Sequence, residues 1–300
     1  MQKKRIILGL SGIFMSFALI VSAFILGNPF CSWAYTSPNA NVIIEEDSSL
    51  SNHTIYRPKD LANLAEKLPI VVWGESACLF AGGSFKKFLA EIASKNYLVI
   101  ADNGFNTLWP TNHTMLLDSI TWAIAENSRS GSKYYGKLKV TKVAVMGHSC
   151  GGLQALHNGG DPRVSTVVAW DSGIFDDGSM SSGMGGATKD DLLALHTPTM
   201  WVNAGPSDIA YAQAEKDFAE VPDYVPAVWA NYDLSEKGSS VLGAHMGTFY
   251  DDKGGEFARV GILWLDFILK GKVENKSQFI GQDCVLNTVP KWSVQSKNWD

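Results

Sequence analysis

Short apolar runs alternate with longer segments of helical hydrophobic spacing over most of the chain. Runs of five to seven residues, several of them rich in Val, Ile and Trp, predict buried strands at Pro69–Trp73, Tyr97–Ala101, Lys142–Met146, Val164–Trp170, Thr199–Asn203 and Pro226–Tyr232. Apolar residues at intervals of three and four predict helices at Phe85–Ser94, Thr114–Glu126, Gly151–His157, Ala210–Glu220 and Glu256–Leu269. Strands that alternate with helices are typical of a mostly parallel central sheet with helices on both faces, so the pattern predicts an α/β fold.

The same pattern bounds the domains. The alternation fills residues 61–300 with no internal repeat and no second core, which predicts a single domain. Residues 35–60 are polar and predict an irregular lead-in. Residues 171–197 form a Gly-, Ser- and Met-rich insertion between two predicted strands. This insertion is too short for a large helical lid, so it predicts a short cap above a shallow, open site.

The first 34 residues have the composition of a targeting segment. Basic residues at positions 3–5 precede an uncharged apolar run over residues 6–27, and Ser32 and Ala34 place small residues before a cleavage point after Ala34. We therefore expect a signal peptide at residues 1–34 and a secreted, extracellular domain. The run of 22 residues is also long enough to span a bilayer, so an N-terminal membrane anchor is the alternative.

The charge balance excludes one class of partner. The chain has 25 Lys and Arg against 30 Asp and Glu, a net charge of −5, and residues 1–34 hold three basic and no acidic side chains. Cleavage would therefore leave a domain of net charge −8. Nucleic-acid binding needs a basic surface, so we expect no nucleic-acid partner. We also expect no membrane association after cleavage.

Residues 147–151, GHSCG, spell the motif G-x-S-x-G. The motif alone is a weak signal because Gly and Ser are common, but here a predicted strand enters it and a predicted helix leaves it. Such a strand-to-helix turn is strained, and small neighbours let it expose the serine hydroxyl. This context predicts Ser149 as a nucleophile, against the alternative of a glycine-rich loop with a purely structural use.

A serine nucleophile needs a histidine that accepts its proton and a carboxylate that holds the histidine. In this order of elements both partners follow the serine. Of the three histidines that do so, His157 lies on the helix directly after the motif and His196 ends the cap. His245 lies in the loop GAHMG between the last predicted strand and the last predicted helix. This loop position predicts His245 as the base.

Two aspartates follow predicted strands at their carboxyl ends, where active sites form in open α/β sheets. Asp208 lies in the turn AGPSD, and Asp171 lies in the segment AWDSG. Asp208 comes one strand before the loop of His245, so we expect Asp208 to be the acid. We expect Asp171 to hydrogen-bond local backbone or to line the pocket.

Acyl transfer also needs two backbone N–H donors for the oxyanion of the tetrahedral intermediate. The first is expected from Cys150, at the head of the helix after the nucleophile, where the helix dipole adds to its effect. The second is expected from the loop after the strand PIVVW, with Glu75 as the first choice and Ser76 as the second.

Cleavage after Ala34 leaves an odd number of cysteines, Cys78, Cys150 and Cys284, in a compartment that permits disulfides. The loop that carries Glu75 must approach Cys150, which brings Cys78 near the same point. We therefore expect a Cys78–Cys150 bridge, with Cys284 free or paired between molecules. The alternatives are a Cys150–Cys284 bridge and no bridge at all.

Together these motifs resemble those of secreted α/β-hydrolases, and the chain is similar to the cutinase-like, polyester-hydrolase and dienelactone-hydrolase group of serine esterases. The similarity covers about two thirds of the chain, residues 68–271, and rests on the stretches LPIVVWGESAC, FLAEIASKNYLVIA, VAVMGHSCGGLQAL, TMWVNAGPSDIAY, GAHMGTF and WLDFILKG. The resemblance implies the α/β-hydrolase fold, with Ser149 as nucleophile, Asp208 as acid and His245 as base.

Two segments depart from the family pattern. Residues 75–77 (ESA) stand where relatives more often have asparagine, glycine or an aromatic residue, and residues 104–114 (GFNTLWPTNHT) have no counterpart. Trp109 in the second segment provides either an aromatic wall of the substrate site or a packed side chain.

These expectations combine into a function. We expect a monomeric, secreted serine hydrolase that cleaves small-molecule or polymeric carboxylic esters through an acyl-enzyme intermediate, with no metal and no cofactor. An amide or peptide hydrolase is one alternative, because the same three residues serve both reactions. A catalytically idle binding protein of the same fold is the other.

Overall fold

Six parallel strands form the centre of a nine-stranded sheet in the computed structural model, which describes residues 35–176, 185–235 and 241–299. The strands in chain order are β1 (Val42–Asp47), β2 (Leu50–Pro58), β3 (Leu68–Gly74), β4 (Leu98–Asp102), β5 (Leu138–His148), β6 (Thr166–Trp170), β7 (Thr199–Asn203), β8 (Ala227–Tyr232) and β9 (Trp292–Lys297). Their order across the sheet is β1-β2-β4-β3-β5-β6-β7-β8-β9. Strands β3 to β8 pair in parallel with one another, whereas β1, β2 and β9 pair antiparallel at the two edges.

The α/β pattern predicted from the sequence is confirmed. All six predicted strands are present as β3 to β8. Every residue of β3, β4, β6 and β7 is buried, because helices cover both faces of the parallel part of the sheet. A short continuous apolar run in the sequence is therefore enough to predict each of these central strands.

The antiparallel strands β1, β2 and β9 were not predicted, and the expectation of an irregular lead-in at residues 35–60 is wrong. Residues 42–58 form the antiparallel pair β1–β2, and β9 comes after the helix that the pattern predicts as the last element. The two edge strands, β1 and β9, bury only part of their side chains. In β9 buried residues alternate with exposed ones, and in β1 the carboxylate of Glu45 pairs with Arg57 at 2.9 Å. Their sequences are consequently polar enough to resemble loops.

Helices cover both faces of the sheet. The described residues form α1 (Lys86–Ser94), α2 (Thr114–Ser128), α3 (Cys150–His157), α4 (Asp191–Ala194), α5 (Tyr211–Glu220), α6 (Val241–His245), α7 (Gly255–Lys270) and α8 (Lys276–Phe279). The five predicted helices correspond to α1, α2, α3, α5 and α7. On one face, Leu116 of α2 and Leu153 of α3 join the main hydrophobic cluster. On the other face, Phe88 of α1 and Phe257 of α7 pack against Trp170.

Residues 37–300 group into one compact unit that contains all nine strands. Within the described ranges, no helix combines the length and the apolar character that crossing a membrane requires. The expected signal peptide or anchor at residues 1–34 lies outside the described residues. In the expected cap, residues 171–197, the described part contains the short helix α4, and residues 177–184 again lie outside.

Candidate active site

Ser149 lies in the sharp turn between β5 and α3. Its φ of 55° and ψ of −119° are outside the regions that L-residues favour. The Ser149 N–H donates to Trp170 O at 2.9 Å, which fixes the turn against the neighbouring strand β6. Strained residues of this kind cluster at functional sites, where the surrounding structure holds them in place. Ser149 is half-buried, so the turn does not enclose the residue completely.

Close backbone contacts require the glycines around this turn. A Cβ on Gly147 would lie 2.2 Å from Gly151 O, and a Cβ on Gly151 would lie 2.0 Å from Gly74 O. Side chains at these positions would push the segment after β3 away from the head of α3. The glycines of the motif are therefore required for close packing, and this packing places Ser149 beside the turn at residues 75–78.

The structure brings Ser149, His245 and Asp208 together across sequence separations of 96 and 37 residues. The Ser149 Oγ lies 2.9 Å from His245 Nε2, and Asp208 Oδ1 lies 2.6 Å from His245 Nδ1. A carboxylate only accepts hydrogen bonds, so Nδ1 carries the proton and donates to Asp208. Nε2 then accepts the hydrogen bond of the Ser149 hydroxyl. All three side chains lie at the carboxyl edge of the parallel strands, as the sequence predicts.

Hydrogen bonds from neighbouring groups favour the ionised form of the Asp208 carboxyl. Asn203 Nδ2 donates to its Oδ2 at 2.8 Å, and the Ala210 N–H donates to its Oδ1 at 3.1 Å. Burial favours the neutral carboxyl, but the hydrogen bonds from His245, Asn203 and Ala210 outweigh burial and lower the pKa of Asp208. Trp229 Nε1 in turn donates to Asn203 Oδ1 at 3.0 Å, which orients the amide.

Asp171 has a different environment at the end of β6. It is completely buried, so the expectation that it lines the pocket is wrong. Neither of its carboxyl oxygens has a hydrogen-bond partner among the described residues, so the alternative of a hydrogen bond to local backbone is not met either. Burial raises the pKa of Asp171 well above its ordinary range, and the negative charge of Asp208 raises it further. Two neighbouring buried carboxyls do not readily ionise together. The charged form is therefore favoured at Asp208, which has the hydrogen-bond donors, and the neutral form at Asp171.

The expectation that the Glu75 N–H serves as an oxyanion donor is wrong. This N–H donates to Asp102 Oδ1 at 2.8 Å and is therefore not available to a substrate. Because β3 and β4 are adjacent, with Trp73 opposite Ala101, the end of β4 lies next to the turn after β3. The Cys150 N–H, the other expected donor, has no acceptor in the part of the chain that the structure describes.

Glu75 and Asp102 form a buried carboxyl pair behind this turn. Burial raises the pKa of Asp102 to about 7. Burial, followed by the negative charge of Asp102, raises the pKa of Glu75 well above its ordinary range. The raised pKa favours the neutral form of Glu75, which does not repel a negative charge that develops near the turn.

Asp102→Asn is expected to stabilise the protein at pH 8 more than at pH 5. Native Asp102 keeps its proton up to about pH 7, whereas an aspartate in the unfolded chain loses it near pH 4. The native state thus binds the extra proton, so this group makes the wild type less stable as the pH rises from about 4 to about 7. Asparagine does not ionise, and its Oδ1 can still accept the Glu75 N–H.

The expected gain in the free energy of unfolding at pH 8 is at least about 1 kcal/mol, because one pKa unit corresponds to about 1.4 kcal/mol. Urea unfolding at pH 5 and pH 8 measures it. Asp223→Asn, at an exposed position, is the matched control. A stability difference between Asp102→Asn and the wild type that is the same at both pH values would contradict the raised pKa of Asp102.

The predicted Cys78–Cys150 disulfide is confirmed, with Cα atoms 5.3 Å apart. Cys284 is free and buried, so the alternative bridge to Cys284 is wrong, as is the alternative of no bridge. The bond closes a loop with a sequence separation of 72 residues, which stabilises the fold by about 4 kcal/mol if it acts through chain entropy. It also joins the turn at residues 75–78 to the residue directly after Ser149.

The loop at residues 104–114 is attached to the same turn region. Asn103 Nδ2 donates to Trp109 O at 2.7 Å and to Phe80 O at 3.1 Å. The side chain of Trp109 is not packed, because the residue is 66% exposed. Its use as an aromatic wall for a substrate stays a prediction.

Sequence reasoning missed three residues that support the site. Asp102 and Asn203 are polar residues at the ends of buried strands, a position that could have singled them out. His148 was recognised only as a variable position of the motif, although its ring contacts the backbone of His245. No sequence spacing signals that contact.

No protein-family model matches the chain, and no curated protein matches it. Across residues 35–176, 185–235 and 241–299, no three His, Cys, Asp or Glu side chains are grouped as a metal site requires. The arrangement that bears most directly on function is the series of hydrogen bonds from Ser149 through His245 to Asp208. This series can move a proton from the serine hydroxyl to the imidazole.

Proposed function

We propose that this chain is a secreted serine hydrolase of the α/β-hydrolase fold that cleaves carboxylic esters. The observation that carries the proposal is the pair of hydrogen bonds that link the Ser149 hydroxyl to His245 and His245 to Asp208. The nucleophile, acid and base follow β5, β7 and β8 in that order, which agrees with the family that the sequence resembles. The disulfide suits an oxidising compartment and supports secretion.

In the proposed reaction, Ser149 Oγ attacks the ester carbonyl carbon while His245 Nε2 accepts the hydroxyl proton. The carbonyl electron pair moves to oxygen and gives a tetrahedral oxyanion, and Asp208 stabilises the imidazolium of His245. Collapse of the oxyanion breaks the bond to the alcohol oxygen, which takes the proton from His245. The acyl-Ser149 ester then reacts with water by the same steps, with His245 again as base, and releases the carboxylic acid.

We assign stabilisation of the oxyanion to the N–H groups of Cys150 and Ser76. Cys150 is the first residue of α3, where the helix dipole favours negative charge. Because Asp102 occupies the Glu75 N–H, Ser76 is the next donor in the turn that the glycine contacts hold against α3. The Cys78–Cys150 disulfide fixes the two segments relative to each other, so little reorganisation is needed during the reaction.

Hydrolysis of p-nitrophenyl acetate tests the proposed function. We expect steady turnover, and we expect a fluorophosphonate to inactivate the protein with one equivalent bound to the peptide that contains Ser149. The matching p-nitroanilide is expected to react much more slowly. Faster cleavage of the anilide would indicate an amide hydrolase, and no turnover together with an unlabelled Ser149 would indicate a catalytically idle binding protein.

A further inference from the structure

His148 connects the nucleophile to the base by a second route. It precedes Ser149 at the end of β5 and is completely buried. Its ring Nε2 lies 2.6 Å from the backbone carbonyl oxygen of His245. A carbonyl oxygen only accepts, so Nε2 carries the proton and donates. Two consecutive residues therefore bond to His245: His148 to its backbone and Ser149 to its ring.

The surroundings of His148 keep its ring neutral and in place. The ring packs against Phe85 and Phe249, each with a centroid distance of 5.1 Å. Burial, and then the positive charge of His245, lower the pKa of His148 to about 3. Asp171 faces the same nitrogen from β6, but its Oδ2 is 3.8 Å away, too far for a hydrogen bond. Among the described residues, His148 Nδ1 has no hydrogen-bond partner, so the bond to His245 O is the one that orients the ring.

Helix α6, which ends at His245, needs contacts with the rest of the fold to keep its position. α6 has five residues and ends at His245, and a helix of that length has little stability of its own. The hydrogen bond to Asp208 orients the imidazole, whereas the hydrogen bond from His148 fixes the backbone of the same residue to a central strand. We propose that His148 is a positioning residue, which aligns His245 Nε2 with Ser149 Oγ through this carbonyl. The inference rests on the proposed function.

Three variants separate the hydrogen bond from packing. His148→Gln places an amide N–H where Nε2 lies, His148→Asn has a donor too short to reach His245 O, and His148→Phe keeps the ring without a donor. We expect His148→Gln to retain kcat within about threefold, because it preserves the bond to the carbonyl. The other two are expected to lower kcat by about 10- to 100-fold with little change in KM, since a misplacement of about 1 Å costs up to about 100-fold.

The kinetics of p-nitrophenyl acetate hydrolysis and the rate of fluorophosphonate labelling at Ser149 provide the two readouts, with thermal unfolding as the check of folding. Rescue by glutamine and loss with asparagine supports the role of His148. An active wild type in which glutamine is as damaging as asparagine, or in which KM alone changes, overturns it. If His148→Phe does not fold, the glutamine and asparagine variants decide. An inactive wild type with an unlabelled Ser149 instead rejects the proposed function.

Discussion

Ser149→Ala is expected to reduce kcat for p-nitrophenyl acetate by about 10⁴- to 10⁶-fold and to leave the fold intact. Without the hydroxyl no acyl-enzyme forms, and only the slow attack of water assisted by the oxyanion donors is left. The fold should survive because the turn is held by the N–H of residue 149 on Trp170 O and by the close packing of Gly147, Gly151 and Gly74. None of these contacts uses the hydroxyl.

Ser119→Ala is the matched control for this result. Ser119 is a buried serine of α2 whose hydroxyl donates to Met115 O at 3.1 Å, remote in the chain from the proposed site. We expect this variant to hydrolyse the ester at the wild-type rate. Both variants should give the circular-dichroism spectrum of the wild type. A tenth of the wild-type rate in Ser149→Ala, with contamination excluded by active-site titration, would show that the nucleophile lies elsewhere.

The turn at Ser149 could be predicted from the sequence because its requirements are local. The backbone of Gly147 lies against that of Gly151, so this contact requires glycine at both positions of the motif. The strand that enters the turn and the helix that leaves it appear in the hydrophobic pattern because residues 143–148 of β5 are buried and α3 packs on the sheet. The Cys78–Cys150 bridge followed from the further argument that an oxyanion donor must come from the turn after β3.

The parts that were predicted wrongly or missed depend on contacts between elements that are separated in the chain. Nothing in the spacing of Glu75 and Asp102 indicates that adjacent strands place the carboxylate on the N–H, so the availability of that donor could not be judged. The same holds for His148, whose partner lies 97 residues further along the chain. The order of strands across the sheet decides the first contact, and the position of α6 beside the end of β5 decides the second. The hydrophobic pattern encodes neither.

Asp208→Asn and Asp171→Asn form the most discriminating pair of variants for the acid. Both replace a buried carboxyl at the carboxyl end of one of two adjacent parallel strands by an amide of the same shape. We expect Asp208→Asn to lower kcat by about 10⁴-fold. The amide nitrogen can donate to His245 Nδ1, which then leaves the proton on Nε2, and Nε2 can no longer accept the proton of the Ser149 hydroxyl.

Asp171→Asn is expected to change kcat by less than about tenfold. The raised pKa of Asp171 favours its neutral form, which an amide of the same shape replaces closely. In Asp208→Asn, by contrast, the lost group is a carboxylate whose lowered pKa favours its charged form. Kinetics of both variants at pH 8, together with the double variant, measures the difference. If Asp208 is the acid, the double variant has nearly the same kcat as Asp208→Asn, lower by no more than the small factor that Asp171→Asn shows alone. Equal losses of kcat in the two single variants would instead assign the two aspartates a shared role.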